Sequence, residues 1–151
     1  MIVYRISKEK WAKDLSGLGA EKAGGRWNPR GIPVLYTSIN SSLAILELLV
    51  HMDYDLLPND MVLARINIPD GSIKELTEVD LPKNWRDNPA PDSLKELGRG
   101  WVKANKQLAL KVPSAVNPIE HNYILNVDHP LFSRVMVDKT ALTQLDNRLK
   151  K

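Results

Sequence analysis

Pro33-Val-Leu-Tyr-Thr-Ser-Ile-Asn40 runs directly into Ser41-Ser-Leu-Ala-Ile-Leu-Glu-Leu-Leu-Val-His-Met52. The first part is β-branched and aromatic, so Pro33–Ser38 predicts a strand. The second predicts a helix from about Ser42 to Met52, because Asn40 or Ser41 offers a side-chain oxygen to the free amides of a first turn.

Upstream, Met1–Ile6 reads as a first strand. Trp11–Asn28 holds Gly17, Gly19, Gly24 and Gly25, which predicts a loop region with at most a short helix. Downstream, Met61–Ile68 reads as a strand ended by Pro69-Asp70-Gly71, with Ser72–Leu76 as the return arm of a hairpin. Residues 81–92 carry Pro82, Pro89 and Pro91 and are expected to be irregular. Leu94, Leu97, Trp101 and Val102 have helical spacing, so Ser93–Ala104 predicts a second helix. Leu108–Val116, Asn122–Asn126 and Phe132–Asp138 complete the strands. Strands dominate, and they do not alternate with helices as a doubly wound parallel sheet requires. The expected fold class is α+β in one compact domain spanning residues 1–151, without repeat or linker.

The 151 residues are 43% hydrophobic and 26% charged, the proportions of a globular protein with one adequate core. Twenty-one Lys and Arg against 18 Asp and Glu give a net charge of only +3. The densest basic stretches, Lys8–Lys13 and Arg148–Lys151, are short and terminal, so direct nucleic-acid binding is not expected. There is no cysteine, hence no disulfide, thiolate nucleophile or thiolate metal site. His51, His121 and His129 lack metal-ligand spacing, so no metal is expected. The longest apolar run, Leu43–Val50, is broken by Glu47 and is far shorter than the roughly 20 residues that span a bilayer. The N-terminus has the reverse order of a signal peptide. The expected location is cytoplasmic, without membrane contact.

Glu47 is the most informative residue. Its helical neighbours Leu43, Ala44, Val50 and His51 are not those of a solvated face, so the helix reads as apolar nearly all round and buried. A buried carboxylate needs a partner, whether in a structural ion pair with His51 or an arginine or as a functional group. Arg26 lies in Gly24-Gly-Arg-Trp-Asn-Pro-Arg-Gly31, where a guanidinium could grip a phosphate, or where a basic surface loop could simply tuck Trp27 into the core. Ser114 ends an apolar strand shortly before Glu120-His121. A serine-hydrolase reading lacks Gly-x-Ser-x-Gly, and a turn serine bonding the backbone is commoner. Tyr36 could be core or a ligand-stacking ring.

Taken in order, Gly25-Arg26-Trp27-Asn28, Val34-Leu35-Tyr36-Thr37, Ala44-Ile-Leu-Glu47, Val112-Pro-Ser114-Ala and His121-Asn-Tyr-Ile-Leu-Asn-Val-Asp-His-Pro130 resemble the RES domain. That family is named for an arginine, a glutamate and a serine, which match Arg26, Glu47 and Ser114. The resemblance runs from the first strand to Asp146-Asn-Arg-Leu149. It implies a fold similar to the ADP-ribosyltransferase toxins, with NAD as substrate. It also implies a toxin of a type II toxin–antitoxin pair, neutralised by an Xre-like antitoxin that carries the DNA reader on a separate chain, and it is compatible with a homodimer. Arg26, Tyr36, Glu47 and Ser114 carry over as catalytic residues, and Arg26, Trp27, Asn28, Tyr36, His51 and Asn122 as the NAD-binding set.

Residue chemistry suits that implication. Nicotinamide is bound in NAD as a cation and leaves neutral, so one carboxylate suffices where glycoside hydrolysis commonly uses two. Glu47 would stabilise the oxocarbenium ion and Arg26 would bind the diphosphate. Tyr36 would wall in the nicotinamide, and Ser114 would bond its ribose or amide. Hydrolysis, phosphorolysis with inorganic phosphate and ADP-ribosyl transfer to a protein all remain open. So does a catalytically silent module that only holds an antitoxin.

Overall fold

The computed structural model describes residues 1–149; Lys150 and Lys151, the end of the basic C-terminal stretch, lie outside the described residues. Among these, seven strands form one sheet: β1 (Ile2–Lys8), β2 (Val34–Ser38), β3 (Met61–Asn67), β4 (Ile73–Glu75), β5 (Ala109–Pro113), β6 (His121–Asn126) and β7 (Met136–Leu142). Their order is β4-β5-β6-β2-β1-β3-β7, and every pairing is antiparallel except β4 with β5. The helices are α1 (Leu18–Ala23), α2 (Ser41–His51) and α3 (Asp92–Ala104). The α+β reading in a single compact domain holds.

The sheet consists of two well-paired halves joined at one point. β1 meets β3 in seven consecutive pairs, whereas its pairing with β2 is the single position Tyr4 opposite Ser38. This bears on the one topological expectation that fails. Residues 73–75 form β4, but β4 runs parallel to β5 at the far edge and does not return along β3. Lying flat, five strand spacings separate β3 from β4, about 24 Å. Six chain steps reach at most about 21 Å. The short link is therefore possible because the halves curl toward each other. The core between them draws Val3, Ala64 and Ile66 from one half and Leu35, Ala109 and Leu125 from the other.

Two boundaries also move. Pro130–Arg134 is a 3-10 turn and not the start of a strand, because His129 Nδ1 accepts the Leu131 N–H and Pro130 opens the turn. β5 ends at Pro113 because the next residues form a side-chain-capped turn on Ser114.

A second core cluster holds α3 against the sheet through Leu94, Trp101 and Val102, with Trp27, Trp85 and Leu110 around them. Gly98 sits at the closest approach: a Cβ there would come within 1.7 Å of the Trp27 carbonyl oxygen. α2 packs on β1 and β2 through Leu43 and Ala44. Its other side is not covered, and Leu46, Val50 and His51 are exposed. The expectation of a helix buried all round is corrected accordingly: one layer of sheet covers one face only. No helix among the described residues is long and apolar enough to cross a membrane.

Candidate functional site

The loop after α1 is pinned from below by Asn28, whose side chain is 0% exposed. Its amide nitrogen donates to the carbonyls of Ala20 and Ile32, both at 2.9 Å. Its Oδ1 accepts from the Tyr36 hydroxyl at 2.7 Å, and that hydroxyl in turn accepts the Trp27 N–H at 3.0 Å. Burial pushes the Tyr36 phenol well above its ordinary value of 10.0. Gly25 is required here, since a Cβ would lie 2.5 Å from the Tyr36 oxygen. The result is a rigid turn, closed by the Gly25 N–H on the Asn28 carbonyl at 2.9 Å, that carries Arg26.

Glu47 is fixed from three strands away in sequence. Ser114 Oγ donates to Glu47 Oε1 at 2.7 Å, and Asn122 Nδ2 donates to the same oxygen at 2.6 Å. Ser114 Oγ accepts the N–H groups of Val116 and Asn117, each at 3.1 Å, which directs its proton to the carboxylate. Asn122 Oδ1 accepts from Ser38 Oγ at 2.8 Å, from the position opposite it on β2. That donor fixes which end of the amide faces Glu47. Oε2 takes part in neither bond. Neither His51 nor an arginine forms an ion pair with Glu47 among the described residues.

Arg26 is half-buried. Nη1 donates to the Trp85 carbonyl at 2.6 Å and Nη2 to the Asp87 carbonyl at 3.1 Å. Burial lowers its pKa, opposed by the negative potential of Glu47 and by Tyr36 and Asp87. Above these groups opens a cleft of about 1050 Å³. Arg26, Tyr36, Glu47, His51 and Asn122 all line it, together with Arg86, Asn88, Pro89 and Ala90.

The sequence-derived set thus converges, with a division of labour. Glu47, Arg26, Tyr36, His51 and Asn122 reach one cleft. Trp27 and Asn28 border it with side chains packed into the scaffold, Trp27 being 3% exposed. Ser114 is 0% exposed and meets the carboxylate from behind: the turn-serine reading holds, whereas the expected bond to a nicotinamide ribose or amide is corrected, because the hydroxyl is sealed behind Glu47 and does not line the cleft. It makes no side-chain bond to His121 and forms no hydrolase triad. Two contributors escaped the sequence: Ser38, an ordinary strand residue by pattern, and the wall made by Arg86 and Asn88–Ala90, legible only as irregular chain. Among the described residues no group of three or more His, Asp or Glu is arranged to hold a metal.

The family model described as RES domain matches residues 2–146. The chain is 38% identical over 152 residues to the protein named Toxin Res of Yersinia enterocolitica, covering 99% of this chain and 100% of that one. It is 37% identical over 141 residues to the Prs ADP-ribosylating toxin of a Sphingobium strain, covering 91% and 88%. In fold it is similar to a chain of the M. tuberculosis MbcT–MbcA toxin–antitoxin complex, with a TM-score of 0.78 at 17% identity over 95% of this chain and 84% of that one.

Proposed function

The chain belongs to the RES domain family, and from that premise we propose that it is a toxin of a toxin–antitoxin pair that cleaves the nicotinamide–ribose bond of NAD. The observation that carries the reading is the fixed Glu47 carboxylate, one oxygen anchored by Ser114 and Asn122 while the other is left to the cleft. As the C1′–N bond breaks, its electron pair leaves with nicotinamide, and positive charge develops on the ribose. A pre-oriented anion stabilises that charge without reorganising. Water adds to C1′ and loses a proton, giving ADP-ribose and nicotinamide; with inorganic phosphate as acceptor the product is ADP-ribose phosphate. The Tyr36 ring would wall the nicotinamide side. Its hydroxyl is engaged by Asn28 and Trp27, so it contributes surface rather than a proton.

Exposed apolar side chains support a protein partner over the cleft. Val50, which lines it, is 53% exposed, and Ile119, on the loop that brings Ala115 and Val116 to it, is 88% exposed. An Xre-like antitoxin is the partner proposed.

A second reading, transfer of ADP-ribose to a protein nucleophile, is favoured by the 37% identical relative named as an ADP-ribosylating toxin. It uses the same bond cleavage and changes only the acceptor. The test is nicotinamide release from NAD by the partner-free protein, with and without phosphate, for the parent and Glu47→Gln. The expected result is loss of at least about 100-fold in Glu47→Gln. Undiminished release in that variant removes the carboxylate from the mechanism. Intact NAD with the parent defeats the enzyme reading and leaves a silent antitoxin-binding module.

A further inference from the structure

Arg26 was expected to grip a phosphate, yet its two terminal nitrogens are both bonded to main-chain carbonyls. Those carbonyls belong to Trp85 and Asp87, the two neighbours of Arg86. The guanidinium is thus a fork that fixes the peptide on both sides of Arg86. The Trp85 indole, 5% exposed in the core, holds the same segment from beneath. Arg86 itself lines the cleft, and its Nε donates to the Ala115 carbonyl at 3.2 Å on the loop after β5. That bond sets the direction of the side chain and leaves both terminal nitrogens outside it.

The other cations of the cleft separate clearly. Lys95 is 3.2 Å from Asp92 and partly neutralised. Arg30 lines the cleft from the loop after α1. Among the described residues neither Arg30 nor Arg86 has an ion-pair partner. Two unpaired guanidinium groups on the walls of a concave site attract an anion, and a planar fork matches phosphate oxygens through paired bonds. A side chain already oriented by its own Nε loses less freedom on binding.

We propose that Arg86, assisted by Arg30, forms the anion subsite of the cleft and takes the diphosphate of a dinucleotide, while Arg26 acts as a positioning residue for it. The proposal rests on the dinucleotide reading above and reassigns one role within it.

Calorimetric titration of the partner-free protein with ADP, adenosine and inorganic phosphate tests it. The parent is expected to bind ADP more tightly than either other probe. Arg86→Gln is expected to weaken ADP about tenfold or more while leaving adenosine unchanged, and Arg86→Lys to recover part of the loss. Arg26→Lys keeps the charge but cannot span both carbonyls, so ADP binding is expected to fall there too. Undiminished ADP affinity in Arg86→Gln overturns the subsite, and undiminished affinity in Arg26→Lys overturns the fork. Phosphate or adenosine binding as tightly as ADP to the parent overturns the diphosphate assignment. If Arg86→Gln loses ADP while the parent leaves NAD intact, the subsite stands and the cleavage reading falls.

Discussion

Ser114 gives its hydroxyl proton to Glu47 Oε1 at 2.7 Å while accepting two main-chain N–H groups, so a residue wholly shielded from solvent orients a carboxylate that faces the cleft. Ser114→Ala removes the donor and strands the N–H groups of Val116 and Asn117. Unpaired buried groups cost about 1–3 kcal/mol each, and a misplaced reacting group can cost about 100-fold in rate. The expected outcome is a lowered unfolding midpoint together with a loss of nicotinamide release of that order, read by denaturant melts and product assay. A variant that keeps full turnover would show that Glu47 needs no anchor there.

Asn122 offers a pH-based test of the same geometry. In Asn122→Asp the new carboxyl faces Glu47, and two carboxylates so placed share a proton to higher pH than either would alone. While the proton is shared, the protonated group still donates a bond and activity approaches the parent's. As pH rises through the upper apparent pKa of the pair, the second charge repels Glu47 and activity falls. Assays between about pH 5 and 8 should therefore show a decline absent from the parent. Superimposable profiles would mean that the amide does not face the carboxylate.

Tyr36 links the site to alkaline stability. Its phenol is held above 10.0 in the fold by burial. The unfolded chain releases that proton near 10, so stability is intact below this pH and is lost as pH rises toward the folded value, by up to about 1.4 kcal/mol per unit. Tyr36→Phe should abolish this component of the alkaline slope. It should also cost about 1–3 kcal/mol at neutral pH, because Asn28 Oδ1 and the Trp27 N–H lose their partner. Urea melts at neutral and alkaline pH measure both effects, and an unchanged slope would place the phenol in water.

Gly98 is predicted to be intolerant for a purely steric reason. The 1.7 Å approach of an added Cβ to the Trp27 carbonyl involves main chain on both sides, so no rotamer relieves it. Gly98→Ala should destabilise the protein by about 3 kcal/mol. Gly100, with nothing within 4 Å of its added Cβ, should accept alanine readily. Equal melting temperatures for the two variants would refute the close contact.

Much of the fold was legible because its signals are local. The Asn40 cap accepts the Leu43 N–H at 2.8 Å as the sequence implied, and the glycine-rich stretch holds only the six-residue α1. The failures are non-local. Nothing in Ser72–Leu76 announces a parallel partner at residues 109–111, since strand pattern carries no pairing address. Residues that the sequence singled out by type, Arg26, Tyr36, Glu47, His51 and Asn122, meet in one cleft. What they could not give was the direction of each hydrogen bond. A guanidinium that looks made for phosphate proves to hold carbonyls, and a serine that looks like a ligand contact is sealed behind the glutamate.

The bonds that orient Arg26, Glu47 and Asn122 span long stretches of chain: 59 residues from Arg26 to Trp85, 67 from Glu47 to Ser114, 75 from Glu47 to Asn122 and 84 from Ser38 to Asn122. During synthesis the arginine and glutamate emerge first, and the groups that aim the carboxylate follow it by 67 and 75 residues. A growing polypeptide therefore carries Arg26 and Glu47 before the groups that orient them. The cleft takes its final form only when β6 is laid down, so the proposed chemistry has to wait until the chain has grown past Asn122.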